Sequence, residues 1–443
     1  MNPTVLFILG VVFVAVGIAV SIALHEIGHL IPAKLFKVRV TRYMIGFGPT
    51  IWSTRKGETE YGIKALPLGG YVQMVGMYPP NRRDGSVRQS STGIFQGLAE
   101  AARDQAHEEV RPEDHGRLFY QLPVWKKIII MLGGPAMNIL LGILFMAIVL
   151  MGFGIPQPTT QVASVSACMV ASNERAPADT STCKRTPAAA AGLKPGDTVI
   201  RFDGKEVTGW DQLSSWIRAS AGKTVGITVK RGDSTVDLTI TPVLNKVAVV
   251  GSDGQPAKNS DGSYKTTESG FIGIGSKQAT TPQPATAVLP AVGENIVQVA
   301  GVVVNLPARV IAVAQAAFSN EPRDPNGPIS VVGVGRVAGE VAALEDVPLS
   351  ARIATLVSIL GGVNLALAVF NLVPLLPLDG GHVAGALYEG VRRRVAKWLK
   401  KPDPGPFDIA KLLPLTYAVA SVLIVMSVLL IYADIVKPVK LFG

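Results

Sequence analysis

The chain has 443 residues, 48% of them hydrophobic, and a formal net charge of +10. This hydrophobic content excludes a single soluble domain, and the length excludes a protein made of one membrane span alone. A basic balance can indicate binding to nucleic acid, but the cations cluster beside apolar segments and no nucleic-acid motif is present, so we expect no such partner.

The first apolar segment, about residues 5–31, contains the sequence HEIGH at 25–29. On a helix His25 and His29 share one face and can hold one metal ion, and Glu26 is placed to take a proton from a water activated by that metal. Polar groups facing hydrocarbon are costly, which favours a metal site over structural histidines. The segment lacks a basic start and a cleavage site, so we expect it to be retained rather than removed as a signal peptide.

Four segments are long and apolar enough to span a bilayer, at about 5–31, 127–151, 352–373 and 412–433. Basic residues follow the first span, precede the second, and lie at 392–401 between the third and the fourth. By the positive-inside rule these loops are cytoplasmic. Both termini and the long central region are then extracytoplasmic.

The cytoplasmic-side region 36–78 predicts a membrane-associated β-hairpin with strands at 39–54 and 60–77. Its second strand ends in a run rich in glycine and apolar residues, including Gly69, Gly70 and Tyr71, that can dip into the membrane edge beside the metal.

Residues 79–121 predict a cytoplasmic polar linker with a short helix near 93–110, to which we assign no chemistry. The second span, within 122–153, contains GGPAMN at 133–138. Gly-Gly-Pro permits close helix packing or a kink. Asn138 at mid-membrane needs a partner, so either packing alone or a role at the metal site explains it.

The extracytoplasmic region 154–284 contains one small α+β domain at about 160–243. Small residues lead into Gly192 and Leu193, followed by a strand, an Asp203-Gly204 hairpin turn, a helix at 211–219 and a hairpin at 226–242. Cys168 and Cys183 lie here. They form either a disulfide, compatible with an oxidising compartment, or two free buried thiols.

Residues 285–350 contain a further apolar stretch that periodicity alone cannot distinguish from a fifth span. A fifth crossing would put the motif of the third span on the wrong side of the membrane from HEIGH. We therefore predict extracytoplasmic amphipathic helices, on the outer surface or packed between spans, with a break at Pro307.

The third span, within 351–385, ends in NLVPLLPLDGGH at 371–382. A catalytic zinc requires three protein ligands and one open position, and HEIGH provides two of them. Asp379 is the favoured third ligand because an aspartate this deep in an apolar segment has little structural use, and His382 is the weaker candidate. Pro374 and Pro377 are expected to unwind the helix end. A cytoplasmic basic loop at 386–411 and the fourth span with its tail, 412–443, complete the chain.

The fold class is therefore a polytopic α-helical membrane protein with four transmembrane helices, a membrane-associated β-hairpin and an extracytoplasmic α+β domain. In type and order, five motifs resemble the site-2 protease family of intramembrane zinc metalloproteases: HEIGH, GFGP at 46–49, PLGGYV at 67–72, GGPAMN and NLVPLLPLDGGH. The second proline of the last motif stands one residue later than is usual in the family. The 187–207 sequence resembles a PDZ domain, and one such unit, rather than the two of the RseP type, indicates the single-PDZ bacterial branch.

The resemblance implies that His25, His29 and Asp379 bind one Zn²⁺ per chain and that Glu26 is the general base. Asn138 and Asn371 are candidates for holding the substrate backbone or the oxyanion, and Gly69, Gly70 and Tyr71 for adding an extended substrate. Gly192 and Leu193 would belong to the peptide-binding loop of the PDZ domain.

The resemblance also implies a multi-pass protein of the bacterial plasma membrane with its active site near the cytoplasmic side. Its substrates would be single-span membrane proteins, such as anti-sigma factors of stress signalling, already trimmed by a site-1 cut, with the PDZ domain gating their entry. A catalytically silent scaffold is disfavoured because it has no need of Glu26. A metal transporter is disfavoured because the second and fourth spans have few polar residues.

Overall fold

The computed structural model describes residues 2–79, 110–169, 183–249, 259, 264–319, 323–324 and 327–439. Nearly all of the helix predicted near 93–110 therefore lies outside the described residues. The chain forms two compact units. One comprises Met1–Phe153 with Gln283–Gly443, and the other comprises Gly154–Pro282.

The described helices are, in chain order, α1 (Pro3–Leu35), α2 (Val124–Ala147), α3 (Pro187–Ala191), α4 (Trp210–Ala219), α5 (Val288–Val304), α6 (Leu306–Phe318), α7 (Val331–Ala343), α8 (Leu349–Asn371), α9 (Asp379–Trp398) and α10 (Leu413–Val436). The strands are β1 (Val40–Lys56), β2 (Thr59–Met74), β3 (Ile155–Val165), β4 (Thr198–Phe202), β5 (Lys205–Glu206), β6 (Val225–Arg231), β7 (Ser234–Ile240), β8 (Val243–Ala248), β9 (Thr266–Phe271) and β10 (Ile274–Thr281). A π-helical stretch, Ile148–Phe153, extends α2.

Within the described residues, five helical stretches are long and apolar enough to cross a membrane: Pro3–Leu35, Val124–Phe153, Ala285–Val304, Leu349–Asn371 and Ile409–Val436. Four of them coincide with the predicted spans. The fifth is the stretch predicted to lie on the outer surface or between spans. As predicted, the helix is broken beside Pro307, because α5 ends at Val304 and α6 begins at Leu306 with proline in its first turn.

Contacts within the first unit show the relative directions of three helices, α1, α2 and α8. The Cα of Gly17 faces Leu360, and the amide of Asn364 donates a 2.9 Å hydrogen bond to the hydroxyl of Ser21, so α1 and α8 run parallel. Gly142 faces Leu365 whereas Gly361 faces Phe145, so α2 runs antiparallel to α8. The C-terminal ends of α1 and α8 therefore lie at the same end of the bundle.

Strands β1 and β2 confirm the predicted hairpin, although each strand pairs twice along its length. Residues 40–45 of β1 pair with 70–74 of β2, and residues 52–56 pair with 59–63. Residues 42–45 also pair with 60–63, which places the first part of β1 between two segments of β2. The segment 70–74 has no strand partner on its other edge among the described residues.

The second unit is larger than the predicted 160–243 domain. Its main sheet has the order β10-β3-β4-β6-β7, with β5 beside β4. The predicted boundary missed β10, which pairs with β3. The predicted Asp203-Gly204 turn is confirmed, with φ of 51° and 74°, as are the helix α4 and the β6–β7 hairpin.

Packing of one apolar face of the sheet against the two short helices stabilises the second unit. The hydroxyl of Thr186 caps α3, and Gly192 ends it in the left-handed conformation. Phe202, Leu213 and Ile227 are fully buried in the core, and each contributes about 2 kcal/mol by burial. Cys168 and Cys183 are joined by a disulfide with Cα atoms 5.5 Å apart, in agreement with the first of the two alternatives.

The predicted basic loop at 386–411 is wrong over its first half, which is helical. The helix α8 ends at Asn371, the residues around Pro374 and Pro377 form turns, and α9 then continues without a break to Trp398. The arginines that suggested a loop are good helix formers, and apolar residues recur around them at helical spacing, at positions 387, 391 and 395.

One buried carboxylate in the second unit gives a test of its stability. Asp197 accepts hydrogen bonds from the guanidinium of Arg231 and from the backbone N–H of Lys194. The Arg231 guanidinium holds the pKa of Asp197 below its ordinary value of 3.8. Because the folded-state pKa is the lower one, the carboxylate stabilises the unit above its ordinary pKa, and this contribution is lost as the pH falls through the folded-state pKa.

We expect Asp197→Asn to lower the free energy of unfolding of this unit by about 2 kcal/mol at neutral pH, because Arg231 loses its charged acceptor. The difference from the wild type should shrink below about pH 4. Hydrogen exchange of peptides covering β4 and β6, measured in urea, reports the loss. Asp237→Asn, whose carboxylate accepts from the exposed Thr228 hydroxyl, is the control. An equal difference at acidic and neutral pH would contradict the assignment.

Candidate metal centre

Two helix ends bring the predicted ligands together. His25 and His29 lie one turn apart near the C-terminal end of α1, which is otherwise apolar around its circumference. Asp379 is the first residue of α9, immediately after the proline-containing turns that end α8. Because α1 and α8 run parallel, the residue that follows α8 lies at the level of the two histidines.

The three side chains form one compact cluster. The Nε2 atoms of His25 and His29 are 3.2 Å apart, and they lie 3.4 and 3.3 Å from the Oδ2 atom of Asp379. Ligand atoms of a tetrahedral zinc site, with bonds of about 2.0–2.1 Å, are separated by about 3.3 Å. The Oδ2 atom of Asp379 is buried and has no hydrogen-bond partner among the described residues. The cluster therefore fits a zinc ion held by two nitrogens and one oxygen.

Backbone groups of α2 position the histidines. The Nδ1 atom of His29 lies 2.7 Å from the carbonyl oxygen of Ile130, which holds the ring with Nε2 directed at the cluster. One turn further along α2, a Cβ at Gly134 would lie 2.3 Å from Nε2 of His29. The glycines of the predicted GGPAMN motif thus serve close packing, and they do so at the metal site itself.

Glu26 lies beside the ligands and against the sheet. It is buried, with 9% of its surface exposed. A Cβ at Gly70 would lie 2.8 Å from Cγ of Glu26, so the segment 70–74 of β2 runs directly past this side chain. A carboxylate next to a metal site and next to an unpaired strand edge is placed to act on an extended chain bound there.

A cavity of about 770 Å³ surrounds the cluster. Apolar residues of α1, α7 and α8 form much of its wall. Ten residues considered from the sequence line the same cavity: His25, Glu26, His29, Gly69, Gly70, Tyr71, Asn138, Asn371, Asp379 and His382. The structure thus brings together every candidate predicted for metal binding, catalysis and substrate contact in the membrane part of the chain.

The polar residues of the cavity wall differ in their partners. Asn138 is 1% exposed, and both polar atoms of its side chain lack a hydrogen-bond partner among the described residues. The Nδ1 atom of His382, one turn after Asp379, is also buried without such a partner. His382 is not part of the three-residue cluster that can hold a metal. Unpaired groups of this kind are available to a substrate backbone.

The two remaining candidates lie in the second unit. Leu193 is part of the core, so its side chain does not line a groove. Gly192 lies at the surface, and its carbonyl accepts a hydrogen bond from Arg231. The structure gives Gly192 a capping role in the fold, and its participation in peptide binding stays a prediction.

Sequence reasoning missed two buried polar contacts that support the site. One is the Ser21–Asn364 hydrogen bond between α1 and α8. Its only sign in the sequence is a polar residue within each of these two apolar segments. The other is the ion pair between Lys127 on α2 and Glu389 on α9, with Nζ 2.9 Å from Oε2 and both side chains buried. The isolated Glu389 between apolar residues and arginines could have indicated it.

Comparisons with known proteins identify a family. A model of peptidase family M50 matches residues 13–400. The zinc metalloprotease Rip1 of Mycobacterium tuberculosis H37Rv is 32% identical over 447 residues, covering 99% of this chain and all of the relative. Rip1 of Mycolicibacterium smegmatis is 33% identical with the same coverage, and the metalloprotease MmpA of Caulobacter vibrioides is 26% identical over 88% of each chain.

Among solved structures, the PDZ domain of an SdrC-like protein from Listeria innocua matches 28% of this chain and 99% of its own length, with 20% identity. Its TM-score of 0.16 is too low to carry an argument about the fold. The family match and the full-length relatives are sufficient by themselves. The chain belongs to peptidase family M50, the site-2 protease family of zinc metalloproteases.

Proposed function

We propose that the protein cleaves transmembrane segments of single-span membrane proteins, with His25, His29 and Asp379 as zinc ligands and Glu26 as general base. The observation that carries the proposal is the convergence of these four side chains on one cavity that three apolar, span-length helices, α1, α2 and α8, help to line. A soluble peptidase has no need to build its cavity from such helices.

In this proposal, peptide hydrolysis requires a Lewis acid, a proton acceptor and groups that hold the substrate. Zinc supplies Lewis-acid chemistry when bound, polarising the scissile carbonyl and making a coordinated water acidic enough to be deprotonated near neutral pH. Glu26 accepts the proton of the attacking water and delivers it to the leaving nitrogen. The carbonyl of Ile130 keeps the His29 ring oriented throughout. Asn138 and Asn371, from two different helices, hold the substrate backbone or the oxyanion.

An extended substrate adds to the edge of β2. A transmembrane helix hides its carbonyls in hydrogen bonds, so its backbone must be unwound locally before attack. The segment 70–74 offers an edge without a strand partner among the described residues, and its Gly70 touches Glu26. Main-chain pairing along this edge would hold the unwound segment next to the catalytic carboxylate.

The direction of the helices supports a topology with four spans and both termini on the same side of the bilayer. The clustered ligands require the C-terminal ends of α1 and α8 to lie on the same side of the bilayer. The chain must then cross the membrane an even number of times between the end of α2 and the start of α8. A single crossing by Ala285–Val304 is incompatible with this count, which favours four spans in total.

We further propose that the second unit lies outside the cell and excludes substrates with large ectodomains, so that a prior cut is required. Its sequence resemblance to a PDZ domain and its place in the chain after α2 support this assignment. Anti-sigma factors of a bacterial plasma membrane are substrates of the required kind, being single-span proteins that can be trimmed first.

The role of Glu26 is tested by separating metal binding from cleavage. Glu26→Gln should retain about one zinc per chain and lose cleavage by at least about a hundredfold, because general base catalysis contributes 10²–10⁴-fold. Asp379→Asn should lose zinc as well. Zinc is measured by mass spectrometry of the purified protein, and cleavage by the shortened fragment of a tagged single-span substrate. Glu340→Gln, in an ion pair on α7, is the control. Full cleavage by Glu26→Gln would refute the proposal.

The strand edge is tested with proline. Gly70→Pro should reduce cleavage strongly while zinc is retained, because proline removes a backbone N–H and adds bulk against Glu26. Leu66→Pro, in the same strand but opposite Phe47 rather than at the site, is the matched control and should cleave more. Similar losses in both variants would show general damage to the strand instead of a lost substrate contact.

The gating role is tested by removing the second unit. Replacement of residues 154–282 by a short polar linker should permit cleavage of substrate that retains its ectodomain, because the steric barrier is gone. Trimmed substrate, assayed in parallel, shows that the shortened protein is folded and active. If the trimmed substrate is cut and the untrimmed one is not, the second unit is not the gate.

A further inference from the structure

The helix α9 carries a continuous apolar stripe along its exposed face. The stripe recurs at helical spacing and its members are all strongly exposed: Leu387 53%, Tyr388 54%, Val391 62%, Val395 46% and Trp398 82%. At 3.6 residues per turn these five side chains fall within about 100° of arc. The opposite face carries Glu389, which is buried in its ion pair with Lys127.

Cations flank this stripe. On one side Arg392 donates to the carbonyl of Gly405, and the opposite side carries Arg394 and Lys397. Lys400 and Lys401 follow the end of the helix. No described acidic side chain forms an ion pair with Arg394, Lys397, Lys400 or Lys401. Within the described part of the chain, the stripe is therefore bordered by cations that no acidic side chain pairs with.

The position of the stripe relative to the bundle indicates what covers it. Gly390 packs against Val124, the first residue of α2. The Asp379 end of α9 lies at the cluster beside Gly134 of α2, so the two helices run antiparallel. The eight residues of α9 after Gly390 therefore extend about 12 Å beyond that end of the spanning helix, at 1.5 Å per residue. The stripe begins at the level of the bundle and continues past its end, where lipid headgroups replace acyl chains. Exposed tryptophan, tyrosine and basic residues are enriched at that level of a membrane.

We propose that the face of α9 formed by Leu387, Tyr388, Val391, Val395 and Trp398, with the cations around it, docks on anionic phospholipid at the membrane surface. The apolar stripe enters the headgroup–acyl boundary, and the flanking Lys and Arg side chains bind phosphate oxygens. An anionic lipid surface suits this face because its acyl chains can cover the apolar stripe while its phosphates pair with the flanking cations. A protein partner would need an acidic rim around an apolar groove.

This contact also fixes the direction of α9, whose first residue is Asp379. Docking at one end of a rigid helix and the Lys127–Glu389 ion pair near its middle hold the other end in register with α1. That consequence rests on the proposed ligand role of Asp379, whereas the lipid contact itself does not.

The test measures which lipid touches the stripe. Both natural cysteines are joined in a disulfide, so Val395→Cys introduces a thiol that can be labelled selectively with an environment-sensitive fluorophore. The labelled full-length protein is placed in nanodiscs that contain phosphatidylcholine and phosphatidylglycerol. Nitroxide-labelled acyl chains are carried by one lipid or by the other. Quenching by labelled phosphatidylglycerol should exceed quenching by labelled phosphatidylcholine by about threefold.

A four-cation variant, Arg394→Gln with Lys397→Gln, Lys400→Gln and Lys401→Gln, should bring this ratio close to one while zinc content is unchanged. The control removes four exposed lysines of the second unit, at positions 223, 230, 246 and 277, and should keep the ratio of the parent protein. Equal quenching by the two lipids would overturn the proposal, as would no quenching by either lipid, because the stripe would then be covered by protein or water. An equal loss in the control would also overturn it, since net charge rather than this face would set the preference.

Discussion

The metal site depends on the close approach of two helix backbones. A Cβ on Gly133 would lie 2.0 Å from the carbonyl oxygen of Gly28, so no larger residue is possible at this crossing without separating α1 from α2. In lipid, where no hydrophobic force draws helices together, small residues that permit such packing contribute much of the association. The crossing also places the Ile130 carbonyl against His29. The same contact therefore joins two helices and orients a candidate ligand.

The proposed third ligand, Asp379, reaches this crossing because a helix is interrupted rather than continued. If α8 continued without a break, residues 372–379 would extend along the bundle axis. The carboxylate at 379 would then lie about a further two turns along the axis rather than beside α1. The turns around Pro374 and Pro377 end α8, and α9 starts afresh with Asp379 as its first residue. Irregular backbone at membrane depth is tolerated where it lines a cavity, and residues 371, 377 and 379 all do so here.

The side chains that cluster in the structure were easier to predict from the sequence than the elements around them. Four polar residues of the cavity stand out in the sequence: His25, Glu26, His29 and Asp379. Each places an ionisable side chain in an apolar segment, where its insertion into lipid is costly, and such residues usually have a function. The charge density of residues 386–398 is typical of a cytoplasmic loop, but the residues are helical. The periodicity of Leu387, Val391 and Val395 was the better signal. The strand β10 could not be assigned to the domain, since its partner β3 is more than a hundred residues earlier and no local pattern encodes that pairing.

The single helix α9 combines three environments along its length, and this explains its composition. Its first turn lies at the metal cluster and is therefore small, with Gly380 and Gly381 packed against the carbonyls of Leu372 and Leu375. Its middle carries a carboxylate because Lys127 at the start of α2 needs a buried counter-charge, and breaking such a pair costs about 3–5 kcal/mol. In its last turns Val395 and Trp398 stay exposed among the described residues, and tryptophan and basic side chains of this kind are enriched at membrane interfaces. Each change of residue type along α9 thus follows a change in what the helix touches.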